Sequence, residues 1–342
     1  MELSERKKKI LQIVVDDYID TAVPVSSKGI SEKYLSNISS ATIRSELSQL
    51  EELGYLTQLH TSSGRIPSNE AYKLYVSELM TKKKLSPKEL NYIKNIFLEK
   101  ADNIENVFKS AVKVISELTD YTSLAVSSKE DTDKLRDIKF YRFKPETALV
   151  LIVTDYKLLK DNYITIPKEM TNEQLDEANS LINRLFVNKS FNEICSMEVD
   201  FNEEFSGYKS IFVNVIEALK VYFSSSENDV VMEGEDKILR HQEYANVEKI
   251  KEFLSVVTKK DKILNLLTED NKGIKINIKI GEEGYDDIPK DCSVVSATYT
   301  ANGKKLGTYG VIGPSRMDYQ KVIAVLENVG AIIESILLEK DK

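Results

Sequence analysis

The chain has 342 residues, 42% of them apolar and 30% charged, a balance that excludes a wholly disordered chain and is long enough for two or three domains with cores of their own. The longest unbroken apolar run, Ala148 to Val153, is far short of the roughly 20 residues a membrane span needs, and charges stand at the N-terminus where a signal peptide has its apolar core, so a soluble, cytoplasmic protein is expected. The net charge of −8 is uneven: residues 1–84 hold twelve Lys and Arg against eleven Asp and Glu, and the remainder hold 35 against 44, which leaves a near-neutral N-terminal module able to carry a basic face.

Residues 4–20 read as a helix, with Ser4 as N-cap and Ile10, Leu11, Val14, Val15 and Tyr18 on one face. Pro24 ends it. A short helix follows from Ser27 to Tyr34, capped by Ser26 or Ser27, and after a turn at Leu35-Ser36-Asn37-Ile38 a third helix runs from a cap at Ser39 or Ser40 to Leu53, with Gly54 as the glycine just past its end. Ile43, Leu47, Leu50 and Leu53 form its buried stripe. The opposite side carries Ala41, Thr42, Ser45, Ser48 and Gln49, with Arg44 on the flank and Ser39 and Ser40 at the start, all of them candidate DNA contacts. Small polar side chains let a helix lie deep in a major groove, where Gln and Ser meet base edges and Arg reaches guanine or phosphate. Two short strands then flank a turn, from Tyr55 to His60 and from Arg65 to Pro67, and a hairpin directly after a helix-turn-helix is a wing. Arg65, His60 and the hydroxyls of Thr61, Ser62 and Ser63 are its candidate DNA contacts.

Further on, Ser86-Pro87-Lys88-Glu89 is a helix start behind a run of three lysines, and a domain boundary is placed there. A long amphipathic helix covers Ile104 to Leu118. Strands are expected at 123–126, 138–143, 148–154, 162–166, 274–280, 294–299 and 307–312, and a final helix from Met317 to Leu338. Between them lie helices near 171–187, 208–225 and 246–267. Helix, sheet, then sheet and helix suggests one α+β domain interrupted by an insertion. Tyr208, Phe212, Val215, Leu219 and Tyr222 repeat with the gaps of a coiled-coil seam, a stripe that fits an internal core as well as a subunit contact. Two cysteines far apart, Cys195 and Cys292, and two histidines, His60 and His241, offer neither a disulfide framework nor a metal centre, and no catalytic constellation is visible. No cofactor and no enzymatic activity are expected.

Several motifs in order, Ser39-Ser40-Ala41-Thr42-Ile43-Arg44, Leu50-Glu51-Glu52-Leu53-Gly54, His60-Thr61-Ser62-Ser63-Gly64-Arg65-Ile66-Pro67, Leu118-Thr119-Asp120-Tyr121-Thr122-Ser123 and Leu306-Gly307-Thr308-Tyr309-Gly310-Val311-Ile312-Gly313-Pro314-Ser315-Arg316, resemble the heat-inducible transcription repressor HrcA family. The resemblance implies an α+β multidomain protein: a winged helix-turn-helix over 1–84, a GAF-like domain from 85–167 and 273–342, and an inserted, mainly helical dimerisation domain over 168–272, whose stripe at 208–222 would then be the subunit seam. It further implies a homodimer that binds double-stranded DNA at the CIRCE inverted repeat of chaperone genes, with the GroEL chaperonin as a partner that keeps the repressor active, and no membrane. An effector-gated regulator with a small-molecule site in the GAF-like domain is the alternative.

Overall fold

The computed structural model describes residues 3–58, 63–99, 104–127, 134–154, 158–197, 206–225, 230–267, 276–281, 289–301 and 304–340. Ser4 opens α1 (Glu5–Thr21) by accepting the Lys7 N–H at 3.4 Å. Ser26 caps α2 (Ser27–Lys33) and Ser39 caps α3 (Ser40–Glu52), each hydroxyl accepting an N–H three residues on. Ile43, Leu47 and Leu50 of α3 join Ile10, Leu11, Val14 and Ile30 in one core. Leu53, expected on the same stripe, is instead 46% exposed, because it is the C-cap and the helical periodicity has ended. Gly54 follows with φ at +82°, a conformation that favours glycine, and its N–H donates to the Glu51 carbonyl at 2.9 Å.

Strands β1 (Leu56–Thr57) and β2 (Ile66–Pro67) pair antiparallel, so the short hairpin expected after the third helix is present. Just before β2, Arg65 and Val25 exchange both backbone hydrogen bonds at 2.8 Å, tying the hairpin to the segment that leads into α2. Gly64 is required for that approach, since a Cβ there would lie 2.6 Å from the Pro24 and Val25 carbonyl oxygens. Ser68 then caps α4 (Asn69–Leu74), which passes into a π-helical turn at Tyr75–Leu79.

Next come α5 (Pro87–Glu99), opened by the reciprocal Ser86–Glu89 hydrogen bonds the sequence signalled, and α6 (Ile104–Thr119). In chain order the remainder is β3 (Thr122–Ser127), β4 (Leu135–Lys144), β5 (Thr147–Thr154), β6 (Leu158–Thr165), α7 (Asn172–Phe186), α8 (Phe191–Ser196), α9 (Lys209–Ser225), β7 (Val230–Glu233), α10 (Val247–Val257), α11 (Lys260–Leu267), β8 (Ile276–Ile280), β9 (Cys292–Ala301), β10 (Lys304–Pro314) and α12 (Tyr319–Lys340). The chain is thus mixed helix and sheet. Five strands form an antiparallel sheet in the order β7-β3-β10-β9-β8. Alternation along it sends Val295, Tyr309 and Val311 to one face, against α6 and α12, and Val294 and Ile312 to the other, against Phe253, Ile263 and Leu266 of α10 and α11.

The packing does not follow the expected insertion at 168–272. Strands β4, β5 and β6 leave the large sheet altogether and make a separate three-stranded one, whose buried face holds Ile138, Val150 and Ile164 against Leu175, Ile182 and Phe186 of α7. The chain returns to the large sheet at β7, a four-residue strand too short to read in advance, and α10 and α11 pack there too. Packing therefore sets the described residues of 134–225 apart, three strands with the three helices α7, α8 and α9. Periodicity shows that a strand has one buried face, but not which sheet it joins. The stripe on α9 also turns inward: Phe212, Val215 and Leu219 are fully buried in this second core, and the half-buried Tyr208 donates its hydroxyl to Glu177 at 2.5 Å. The side chain of Tyr222 lies outside those described. A seam and a core share one spacing, and these described side chains are spent on the core of their own chain.

The N-terminal elements rest directly on the large-sheet unit. Arg316 donates to the Ile19 carbonyl at 3.1 Å while its guanidinium also binds Glu243. Tyr75 donates to Asp16 at 2.5 Å and accepts from Gln320 at 2.6 Å, and the Tyr72 and Tyr319 rings lie 6.0 Å apart. Lys82 and Lys83, in the connector, pair with Glu327 and Asp318 of the α12 region. Ile10, Tyr75, Val112 and Val325 consequently belong to one continuous core.

Candidate nucleic-acid interface

Ser39, Ser40, Ala41, Thr42, Arg44, Ser45, Ser48 and Gln49 are all exposed, on the side of α3 away from Ile43, Leu47 and Leu50. The chain thus leaves one face of this helix small and polar. Its first turn is ordered by the cap, in which Ser39 Oγ accepts the Thr42 N–H at 3.1 Å and lies 2.9 Å from the Thr42 hydroxyl. One turn from the end, Gln49 donates to Ser45 Oγ at 3.4 Å, which lays its amide along the helix surface. The acidic residue on the flank, Glu46, is held by Lys7 at 3.0 Å and Arg6 at 3.6 Å of α1. This pairing offsets the charge of Glu46, while Glu52, in line with Ser45 and Ser48 at the far end of the helix, is exposed.

Arg65 stands at the base of the hairpin, 2.8 Å from Glu51 in the last turn of α3, with its side chain only 18% exposed. Ser63 is half-buried and its carbonyl accepts from Gln58 across the hairpin at 3.0 Å. His60, Thr61 and Ser62 lie outside the described residues. The structure thus brings together the helix-face residues, while Arg65 is directed to the helix.

Two cations that sequence reasoning passed over sit on α2. Lys28 and Lys33 have side chains 79% and 64% exposed, in loose pairs with Glu32 at 3.7 Å and Asp17 at 3.9 Å. The Lys28–Glu32 pair, exposed on both sides, contributes about 1 kcal/mol at most, so the Lys28 ammonium can exchange its partner for a phosphate, and Lys33 reaches solvent beside the mostly buried Asp17. The available signal was positional, because the first helix of a helix-turn-helix crosses the DNA backbone.

Among the described residues no group of three His, Cys, Asp or Glu is placed to hold a metal ion, and no helix is long and apolar enough to cross a membrane. Cys292 is buried with its thiol against the Tyr244 hydroxyl, and burial pushes its pKa up to about 12. Cys195 is only partly buried.

Residues 105–323 match the family described as HrcA protein C terminal domain. The heat-inducible transcription repressor HrcA of Clostridium tetani (strain Massachusetts / E88) is 37% identical over 344 residues, covering 98% of this chain and 96% of that protein. The repressor of the same name from Clostridium botulinum (strain Alaska E43 / Type E3) is 35% identical with both chains covered completely. A solved structure described as "Crystal structure of a hypothetical protein at 2.2 A resolution" shares the fold, with a TM-score of 0.66 and 22% identity over 98% of this chain and all of the other. Similarity of this extent, over a family match of 219 residues and near-complete relatives, places the chain in the heat-inducible transcription repressor HrcA family.

Proposed function

We propose that the chain is a homodimeric repressor that binds the CIRCE inverted repeat through two winged helices, one on each half-site, and so blocks transcription of chaperone genes. Residues 1–84 act as the winged helix-turn-helix, the unit on the five-stranded sheet is the GAF-like domain, and 134–225 is the inserted unit that carries dimerisation. The observation that supports this reading most directly is the exposed, small and polar face of α3, capped at Ser39 and free of unpaired negative charge at Glu46. Ser40, Thr42, Ser45, Ser48 and Gln49 meet base edges, Arg44 reaches guanine or phosphate, and the hairpin around Ser63 and Arg65, with His60, Thr61 and Ser62, lies along the backbone. Twofold symmetry in the protein mirrors that of the operator. The GroEL chaperonin maintains the active repressor, and heat diverts the chaperonin to other clients.

The test is binding to an intact CIRCE duplex against one with a scrambled half-site, at one physiological salt concentration and with or without chaperonin, since phosphate contacts make affinity strongly salt-dependent. Tight binding to the intact repeat alone supports the reading, and improvement with chaperonin supports the feedback. Equal weak binding to both duplexes under both conditions overturns it.

A further inference from the structure

The C-terminal end of α1 is electrostatically incomplete on its own. Asp16, Asp17 and Asp20 crowd its last two turns and the final turn holds no basic residue, although the last carbonyls of a helix carry partial negative charge and favour a cation. Other segments supply the compensation. Lys33 and the Tyr34 hydroxyl, at the end of α2, face Asp17, the hydroxyl donating at 2.6 Å. Tyr75 donates to Asp16. The Ile19 carbonyl accepts from Arg316, which stands between β10 and α12 and grips the Glu243 carboxylate through Nε and Nη2, with both side chains mostly buried. The cation that completes α1 therefore belongs to the large-sheet unit.

We propose that Arg316 is a positioning residue for operator binding: by fastening the end of α1 to Glu243 it sets the direction in which α3 faces in the assembled dimer, and with it the separation of half-sites that the dimer accepts. The proposal rests on the dimeric reading above. Arg316 acts through α1, a rod about 25 Å long at 1.5 Å per residue. At the far end of that rod Arg6 and Lys7 hold Glu46 of α3, and between the ends Ile10, Leu11 and Val14 share a core with Ile43 and Leu47. Apolar packing around Tyr72 and Tyr75 holds α1 and the sheet unit together without direction. A guanidinium whose planar fork is committed to two segments at once permits one relative orientation. Orientation matters because each added base pair moves a half-site by about 3.4 Å and turns it by about 35° around the DNA axis.

The experiment measures binding of the full chain to the intact repeat, to repeats with a spacer one or two base pairs shorter or longer, and to a single half-site, all at one salt concentration. The natural chain is expected to favour one spacer by at least about tenfold, and Arg316→Gln to bring all the repeats within about threefold of one another. Binding to the single half-site and the dimeric state, seen by sedimentation, are expected to stay as they were. Tyr299→Phe controls for lost stability alone, because it removes a buried hydrogen bond between β9 and α12, and it is expected to keep the natural preference. A preference that Arg316→Gln leaves intact, or that Tyr299→Phe abolishes equally, overturns the proposal and leaves the dimeric reading standing. So does an Arg316→Gln chain that becomes monomeric, which would put the residue at the subunit contact, and so does a natural chain indifferent to spacer length yet tighter on repeats than on the half-site. A natural chain that binds no repeat better than the half-site overturns both. Should Arg316→Gln fail to fold, Arg316→Lys, which keeps the charge and loses the fork, takes its place with the same expectation.

Discussion

Arg65 and Glu51 join the base of the hairpin to the final turn of α3, guanidinium to carboxylate at 2.8 Å. The contact fixes the angle at which the hairpin leaves the helix, and it holds a cation in reserve beside the face proposed to meet DNA. Glu51→Gln is expected to free that cation, raising affinity for operator and unrelated duplexes alike and steepening the salt slope by about one phosphate contact, a gain that adding Arg65→Ala removes. Titrations of both duplexes over a salt series check this, and a changed base preference in either variant contradicts it.

On α3 itself the roles separate. Gln49→Ala is expected to cost about 1–3 kcal/mol of discrimination between the intact and a single-base-altered operator with the melting temperature unchanged. Ser39→Ala removes the hydroxyl that accepts the Thr42 N–H and is expected to cost about 1 kcal/mol of stability, read by thermal or urea unfolding.

Phe212 distinguishes core from seam. It is fully buried against Phe186, edge to face with ring centroids 6.0 Å apart, so Phe212→Ala is expected to destabilise the chain by about 3–5 kcal/mol while the folded fraction keeps its association state. Denaturant unfolding followed by sedimentation below the transition measures both, and monomers of undiminished stability would return the stripe to the subunit contact.

His241 stacks on Tyr121 at 5.2 Å, half-buried, and burial followed by the charge of Arg316 holds its pKa below the usual 6.5. The unfolded chain takes up a proton near 6.5 where the native one does not, so stability from this residue is present above 6.5 and falls as the pH drops beneath it, until the native imidazole titrates. Urea unfolding from pH 8 to 5 is expected to show that decline, and His241→Asn to flatten it.

The third helix was legible because its signals are local: a hydroxyl cap, a 3.6-residue stripe and a terminal glycine all act within one or two turns. Leu53 was misplaced by a single step past the cap. The strands were legible one by one, since alternation in β4 and β5 needs only a buried face, yet their division between two sheets depends on pairings that no period encodes. The partner of Arg65 was hidden for a related reason. Glu51 looks like any acidic residue near a helix end until the hairpin folds back, and the inward turn of Phe212, Val215 and Leu219 becomes visible only when α7 and β5 stand beside them.

The continuous core from Ile10 through Tyr75 to Val325 bears on how the molecule loses activity. A reading helix on a separate bead could fray or melt alone, as a low-stability segment with its own opening free energy. Here opening α1 takes Asp16 from Tyr75 and the Ile19 carbonyl from Arg316, so the N-terminal elements and the large sheet are expected to unfold as a single cooperative unit. A fragment ending at residue 84 is expected to exchange its amide hydrogens rapidly throughout, whereas the intact chain protects α1, α3 and α12 with one common opening energy. Loss of repression on heating would then be an all-or-none event for each molecule, graded across a population only through the number of molecules still folded.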